Sequence, residues 1–201
     1  MKLVTLVSGG IDSTLMSILA KDQGFELFPL FINYGQLNLD LEWKSCRANH
    51  AKFKLGTPQR LELSGFGEKI KSGLTTKKLR VLEDAFLPGR NSLFLLTAAS
   101  YAYQIQSKNI AIGLLSDRFK LFPDQSKGFI KRAERFLSFE MDYDLKVLAP
   151  LMRFNKAEVV ELAKAKGITK TYSCHAGTVP PCGGCIACKE IEKAMKTLNK
   201  R

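Results

Sequence analysis

The segment VSGGIDST, residues 7–14, packs two glycines, three hydroxyl side chains and one carboxylate between an apolar run, KLVTLV, and the start of an amphipathic stretch. Gly9 and Gly10 allow a sharp turn and let backbone N–H groups approach an anion with no Cβ in the way. Ser8, Ser13 and Thr14 add donors, and the positive end of the following helix favours negative charge. The segment therefore reads as a phosphate cradle. It lacks the lysine of the GxxxxGK[ST] loop and the third glycine of GxGxxG. Asp12 in its centre would repel phosphate unless a magnesium ion lay between them, so the loop suits magnesium pyrophosphate. A plainer reading is a Gly-Gly turn whose serine and aspartate cap a helix.

A second cluster lies near the C-terminus. Cys174, Cys182, Cys185 and Cys188, in CHAGTVPPCGGCIACKE, have the spacing Cys-x7-Cys-x2-Cys-x2-Cys. Two x2 steps make a tight knuckle and the first cysteine closes it, the pattern of a four-thiolate tetrahedral zinc site with no open position. Such a zinc is structural. His175 is an alternative ligand, but the complete cysteine set makes it an ordinary loop histidine. The fifth cysteine, Cys46, sits alone in a helical pattern and reads as a small buried hydrophobe. His50 is left unassigned.

The elements that must hold these groups follow from periodicity. Strand-like runs are KLVTLV, ELFPLFINY, QRLEL, NIAIGLL and KVLAPL. Helical patterns cover residues 13–22, 39–54, 92–106, 129–139, a stretch opened by the capping pattern Asn155-Lys-Ala-Glu158 and ended at Gly167, and 186–198. Residues 65–87 read as loop or short irregular helix, and 116–128 as a long loop. Strands alternating with helices predict an α/β fold, a parallel sheet with helices on both faces, because each parallel crossover needs a long return. In such sheets ligands collect beyond the carboxyl ends of the strands, where SGGIDS lies. The one compositional boundary is near Ile168, giving an expected α/β domain over 1–167 and a zinc-binding module over 168–201 packed on it.

Whole-chain properties bound the function. The 201 residues are 45% hydrophobic and 25% charged, the composition of a globular protein. No signal peptide is read at the N-terminus, and the uncharged run 91–107 is short for a spanning helix, so a cytoplasmic location is expected. The cysteine cluster then argues for metal rather than disulfides. A net charge of +12 attracts nucleotides, nucleic acid or other anions, although the basic residues are scattered.

Ser8-Gly9-Gly10-Ile11-Asp12-Ser13 resembles the SGGxDS pyrophosphate loop (PP-loop) of the ATP pyrophosphatase superfamily, of adenine nucleotide α-hydrolase-like, Rossmann-like fold. NYGQ at 33–36, FLPGRN at 86–91 and the four cysteines, in that order, are similar to the 7-cyano-7-deazaguanine synthase family. The resemblance implies ATP-dependent adenylation of the acid of 7-carboxy-7-deazaguanine, displacement of AMP by ammonia, and a second adenylation that yields the nitrile, a precursor of queuosine and archaeosine. It implies ATP, Mg2+ and Zn2+ as cofactors. It places Ser8, Gly9, Gly10, Ile11, Asp12, Ser13, Thr14 and Leu15 at the phosphates and their magnesium. Arg90 is expected on the α-phosphate or acyl adenylate, with a fork of donors suited to oxyanions. Asn91 is expected to orient it, contact the nucleotide, or cap the next helix. Asp12 and Arg90 are the catalytic pair. Tyr34, Gln36 and Asp124 are the substrate contacts, Cys174, Cys182, Cys185 and Cys188 the metal ligands, and a homodimer, with residues 92–107 as one surface for it, the expected assembly.

The chain departs from the family where substrate is recognised. Against a pattern near GxxETDxSGYPDCR it has GLLSDRFKLFPDQS. Gly113, Phe119, Pro123 and Asp124 fit, whereas Ser116, Asp117, Arg118, Leu121 and Gln125 replace residues expected around the deazapurine. After NYGQ stand Leu37-Asn38 in place of Arg-His, with Glu42 one position late. The segment before PGRN is also shorter. Two other readings follow: a paralogue that makes an amide or conjugate from another carboxylate, including one on a macromolecule, and a nucleotide- or RNA-binding module without turnover.

Overall fold

The computed structural model describes residues 1–116, 118 and 120–200; Asp117 and Phe119 of the substituted tract lie outside them. Five strands form one parallel sheet: β1 (Lys2–Val7), β2 (Glu26–Asn33), β3 (Gln59–Glu62), β4 (Asn109–Ala111) and β5 (Lys146–Leu148), in the order β3-β2-β1-β4-β5. The helices are α1 (Ile11–Asp22), α2 (Leu39–Phe53), α3 (Ser64–Lys69), α4 (Arg90–Gln104), α5 (Lys127–Glu140), α6 (Lys156–Ala165) and α7 (Ile186–Leu198). The sheet grows outward in one direction from β1 to β3 and then in the other through β4 and β5. The switch point, where ligands bind in such sheets, is therefore beside β1.

Both faces of the sheet are covered at its centre, which is why β1 and β2 read as continuous apolar runs rather than alternating ones, whereas the edge strand β3 is exposed. From β1, Val4 and Leu6 join the core under α4 and α5, where Ala98, Ala99 and Ala102 bring α4 close to the strands. Leu3 turns to the opposite face and packs with Leu15 and Met16 of α1, Val159 and Ala163 of α6 and Ala194 of α7. Each buried Leu or Val contributes roughly 1.5–3 kcal/mol. Ile168 and Ala194 belong to this same cluster, so the C-terminal segment shares a core with the first helix. Cys46, fully buried beside Phe31 and Val7, is the small core residue expected.

Most element bounds shift slightly from the sequence expectation, α5 for example running over Lys127–Glu140 rather than 129–139, and four of the shifts have a visible cause. α1 starts at Ile11 rather than Ser13, with Gly10 as its N-cap and no side-chain cap, so Ser8 and Asp12 remain available for other work. β4 ends at Ala111 because the Leu114 N–H turns back to the Ile112 carbonyl (3.0 Å). β5 ends at Leu148, and Pro150, which has no N–H to continue a ladder, opens a 3-10 turn over Pro150–Arg153. α4 starts at Arg90, capped by the Gly89 backbone in left-handed geometry, so Asn91 is not its cap. The capping box at Asn155 and Glu158 forms as expected. Among the described residues no helix is long and apolar enough to cross a membrane.

Candidate active site

The loop after β1 closes on itself through its hydroxyls. The Ser8 N–H donates to Ser13 Oγ (3.2 Å), the Gly10 N–H to Ser8 Oγ (3.3 Å), and Ser13 Oγ to the Gly10 carbonyl (3.3 Å). Gly9 has φ +83, and a Cβ there would collide with the Glu42 carbonyl on α2. Its glycine is thus required by packing against α2 whatever the loop binds. The Gly9 carbonyl accepts from Ser45 Oγ (2.7 Å) and from the Tyr172 N–H (3.2 Å), which fixes the loop to α2 and to the C-terminal segment.

Ser8, Gly10, Asp12 and Ser13 line a cavity of about 280 Å3 that also receives Tyr34, Gln36, Arg90 and Asn91. Ile11 and Leu15 do not line it: both side chains are in the hydrophobic core. The Thr14 hydroxyl is committed to the Gly10 carbonyl (2.9 Å). The Thr14 N–H also donates to the Gly10 carbonyl (3.1 Å) and Leu15 lies within the helix ladder, so of these three only the Ile11 N–H, at the first position of α1, is left for phosphate. Asn91 Nδ2 donates to the Asp124 carbonyl (3.1 Å), tying the start of α4 to the 3-10 turn Pro123–Gln125. The Asp124 side chain does not line the cavity; it is half-buried, which pushes its pKa up against the opposing pull of Arg90.

Arg90 is held over the rings of Tyr34 (5.9 Å) and Phe94 (5.8 Å), and among the described residues its buried Nε has no partner. An unpaired buried donor costs on the order of 1–3 kcal/mol, a cost that an oxyanion in the cavity would remove. Tyr34 packs on Phe94 at 5.3 Å, and burial pushes its phenol up to about 12, so it stays neutral. Gln36 accepts from the Tyr34 N–H (2.9 Å) and donates to Glu42 Oε2 (3.3 Å).

Four residues of this cavity were not identified from sequence. Lys156, at the start of α6, reaches both oxygens of Asp12, with Glu190 of α7 3.8 Å away. Burial raises the Glu190 carboxyl. Glu42 also lines the cavity, and burial pushes its pKa up to about 7. His175 lines it too, so it is more than a loop histidine; burial, then the charges of Arg90 and Lys156, bring its imidazole down to about 4. The Asn155–Glu158 capping box marked the helix that presents Lys156, but no local pattern marked Lys156 itself.

The substituted pair after NYGQ has a structural use. Asn38 Nδ2 donates to the Cys174 carbonyl (3.0 Å), and a Cβ on Gly177, which has φ +68, would come 2.6 Å from the Leu37 carbonyl. The cysteine knuckle is thereby docked against the NYGQ loop. Its four Sγ atoms lie within 4.8 Å of one another, close enough to share one metal ion. The N–H groups of Cys182, Cys185 and His175 donate to the sulfurs of Cys174, Cys182 and Cys185. Against the effect of burial, such donors lower the Cys174 thiol to about 6, whereas burial and the adjacent Cys185 sulfur push Cys188 up to about 12. Four crowded sulfurs that cannot all ionise alone are a donor set completed by a divalent cation, so the residues fit zinc.

Residues 2–199 match the family described as queuosine biosynthesis protein QueC. The chain belongs to the QueC family. It is a divergent member: a 7-cyano-7-deazaguanine synthase of Prochlorococcus marinus subsp. pastoris is 30% identical over 96% of this chain and 92% of its own length. One of Campylobacter jejuni subsp. doylei is 31% identical over 93% and 90%. Among solved structures, a predicted subunit of a tRNA methyltransferase from Methanocaldococcus jannaschii superposes with a TM-score of 0.52 at 20% identity, covering 82% of this chain and 74% of its own. A 4-thiouridine synthetase in complex with RNA and ATP gives the same TM-score and identity over 97% of this chain and 50% of its own. These two share the fold, and the QueC family gives the class, a synthase.

Proposed function

We propose that this QueC-family chain uses ATP to adenylate the carboxylate of 7-carboxy-7-deazaguanine with release of pyrophosphate, passes the acyl adenylate to ammonia to give the amide and AMP, and adenylates the amide oxygen with a second ATP, so that this oxygen leaves with the second AMP as 7-cyano-7-deazaguanine forms. The observation that carries the reading is the convergence of Ser8, Gly10, Asp12 and Ser13 with Arg90 and Lys156 on one cavity at the switch point of the sheet. A carboxylate is a poor electrophile, and converting it to a mixed anhydride with AMP supplies the leaving group. The pyrophosphate released would be held by the hydroxyls and N–H groups of the loop and by the Lys156 ammonium. Arg90, with its unpaired Nε, would stabilise charge on the α-phosphate as it is attacked. Magnesium on the pyrophosphate would take Asp12 as its protein carboxylate, shared with Lys156, and neutralise the developing charge. The four cysteines would hold a structural zinc.

The deazaguanine would enter from the side of Gly113, Leu121, Phe122 and Gln125, the substituted tract. That substitution favours a second reading, in which another carboxylate is the substrate of the same adenylation. One experiment tests both: the purified protein is incubated with ATP, ammonia and 7-carboxy-7-deazaguanine, and products are identified by mass. Nitrile supports the first reading. Amide without nitrile favours the second, and absence of AMP release while ATP binds favours a nucleotide-binding module without turnover.

A further inference from the structure

Beyond the inner cavity lies a wider cleft of about 900 Å3. The two share Asp12, Lys156, Glu190, Gly113, Leu121 and Phe122, so one molecule can lie across both. From the phosphate loop only Asp12 borders the outer cleft; Ser8, Gly10 and Ser13 open to the inner one. The pyrophosphate of ATP is therefore served without the outer walls.

Those walls are cationic over an apolar floor. Leu114, Leu115, Leu121, Phe122 and Ala157 line it, and Arg118, Lys120, Lys189 and Lys193 border it. Lys189 and Lys193 are one helical turn apart on α7, on the face that Ile186, Glu190 and Thr197 also turn to the cleft. Lys156 is matched by Asp12 and Glu190. Among the described residues none of the other four cations has an ion-pair partner within 4.0 Å, so they are a local surplus of positive charge. A free deazaguanine acid carries one negative charge, on the carboxylate that must sit in the inner cavity and be adenylated. It brings nothing anionic to Arg118, Lys120, Lys189 and Lys193.

We infer that the outer cleft is a phosphate-binding substrate subsite, and that the acid activated here is presented on a phosphorylated ribose, with its phosphate oxygens against Arg118, Lys120, Lys189 and Lys193. This rests on the adenylation reading and follows its second branch, in which a carboxylate other than the free deazaguanine acid is the preferred substrate. A flat heterocycle and sugar match the apolar floor, and the phosphate matches the surplus charge. The same chemistry has two sources, a mononucleotide or a nucleotide within a strand.

Calorimetry with the full chain tests it with three probes: 7-carboxy-7-deazaguanine, its ribonucleoside 5′-monophosphate, and a short single-stranded RNA carrying the same base. The monophosphate should bind at least about tenfold more tightly than the free base, from one or two charge-assisted hydrogen bonds. Lys189→Ala/Lys193→Ala should abolish that advantage, with thermal melting as the check on its fold. RNA binding tighter than the monophosphate assigns the strand as the source, and equal or weaker binding assigns the mononucleotide. Equal affinity for monophosphate and free base, or an advantage that survives in the double variant, overturns the inference. ATP binding and AMP release by the parent protein test the adenylation reading separately, so either can fail alone.

Discussion

Lys156 Nζ lies 2.9 and 2.7 Å from the two carboxylate oxygens of Asp12, across 144 residues of sequence. The pair joins the phosphate loop to the start of α6 and brings to the loop a cation that its own sequence lacks. The two side chains are 15% and 29% exposed, so the pair is only partly screened by water. Asp12→Asn should keep the fold and lower pyrophosphate formation by about 100-fold or more. Lys156→Met should do the same, and the double variant should be little worse than either, because the two act as a unit. Pyrophosphate release by Asp12→Asn at the parent rate would show that the loop has another use.

Arg90→Lys should also be damaging despite conserving charge. The guanidinium is held by the faces of Tyr34 and Phe94, and a lysine offers neither the planar fork nor the stacking. AMP formation should fall roughly 10- to 100-fold while the melting temperature moves by only a few degrees. Steady-state rates beside thermal melts of the same preparation check this, and a parent-like rate counts against a phosphate role for Arg90.

Metal analysis should find one zinc per chain. Cys185 is fully buried, and Cys185→Ser should lower both metal content and thermal stability, since binding to a structural site contributes directly to folding free energy. Iron, or no metal in protein prepared without chelator, would contradict the assignment.

Glu42 gives a pH signature. Burial lifts its pKa from the ordinary 4.5 to about 7 in the folded chain. The folded state thus binds this proton more tightly than the unfolded state. Its contribution is complete below about pH 4.5 and is lost as pH rises through 7. Between pH 5 and 8 the parent should lose on the order of 2 kcal/mol that Glu42→Gln does not. Urea unfolding at several pH values measures the difference, and parallel slopes for the two proteins would remove Glu42 as its source.

Most of the sheet was legible because its central strands are buried on both faces and so appear as apolar runs, and the phosphate loop because its residue types are constrained locally. Strand ends were less legible: β4 stops at a three-residue turn that leaves little trace in composition, whereas β5 stops before Pro150, a signal present in KVLAPL that the apolar run overrode. In the site, residues supplied by the loop itself were found, whereas Lys156, Glu190, Glu42 and His175 were not. They reach the cavity from elements distant in sequence, and a lone charged residue on a helix has the same appearance in the sequence whether it faces solvent or a ligand. Leu37 and Asn38 looked like a loss of family residues, although they dock the cysteine knuckle.

The Gly9 carbonyl is bonded by the N–H of Tyr172, far along the chain. Asn38 likewise waits for the carbonyl of Cys174. On the ribosome, the amino-terminal strand and loop emerge long before these partners exist. The binding site therefore cannot mature vectorially with the sheet; it is completed only after Tyr172 and Cys174 have been translated, and a chain truncated before Tyr172 has a cradle without its clasp.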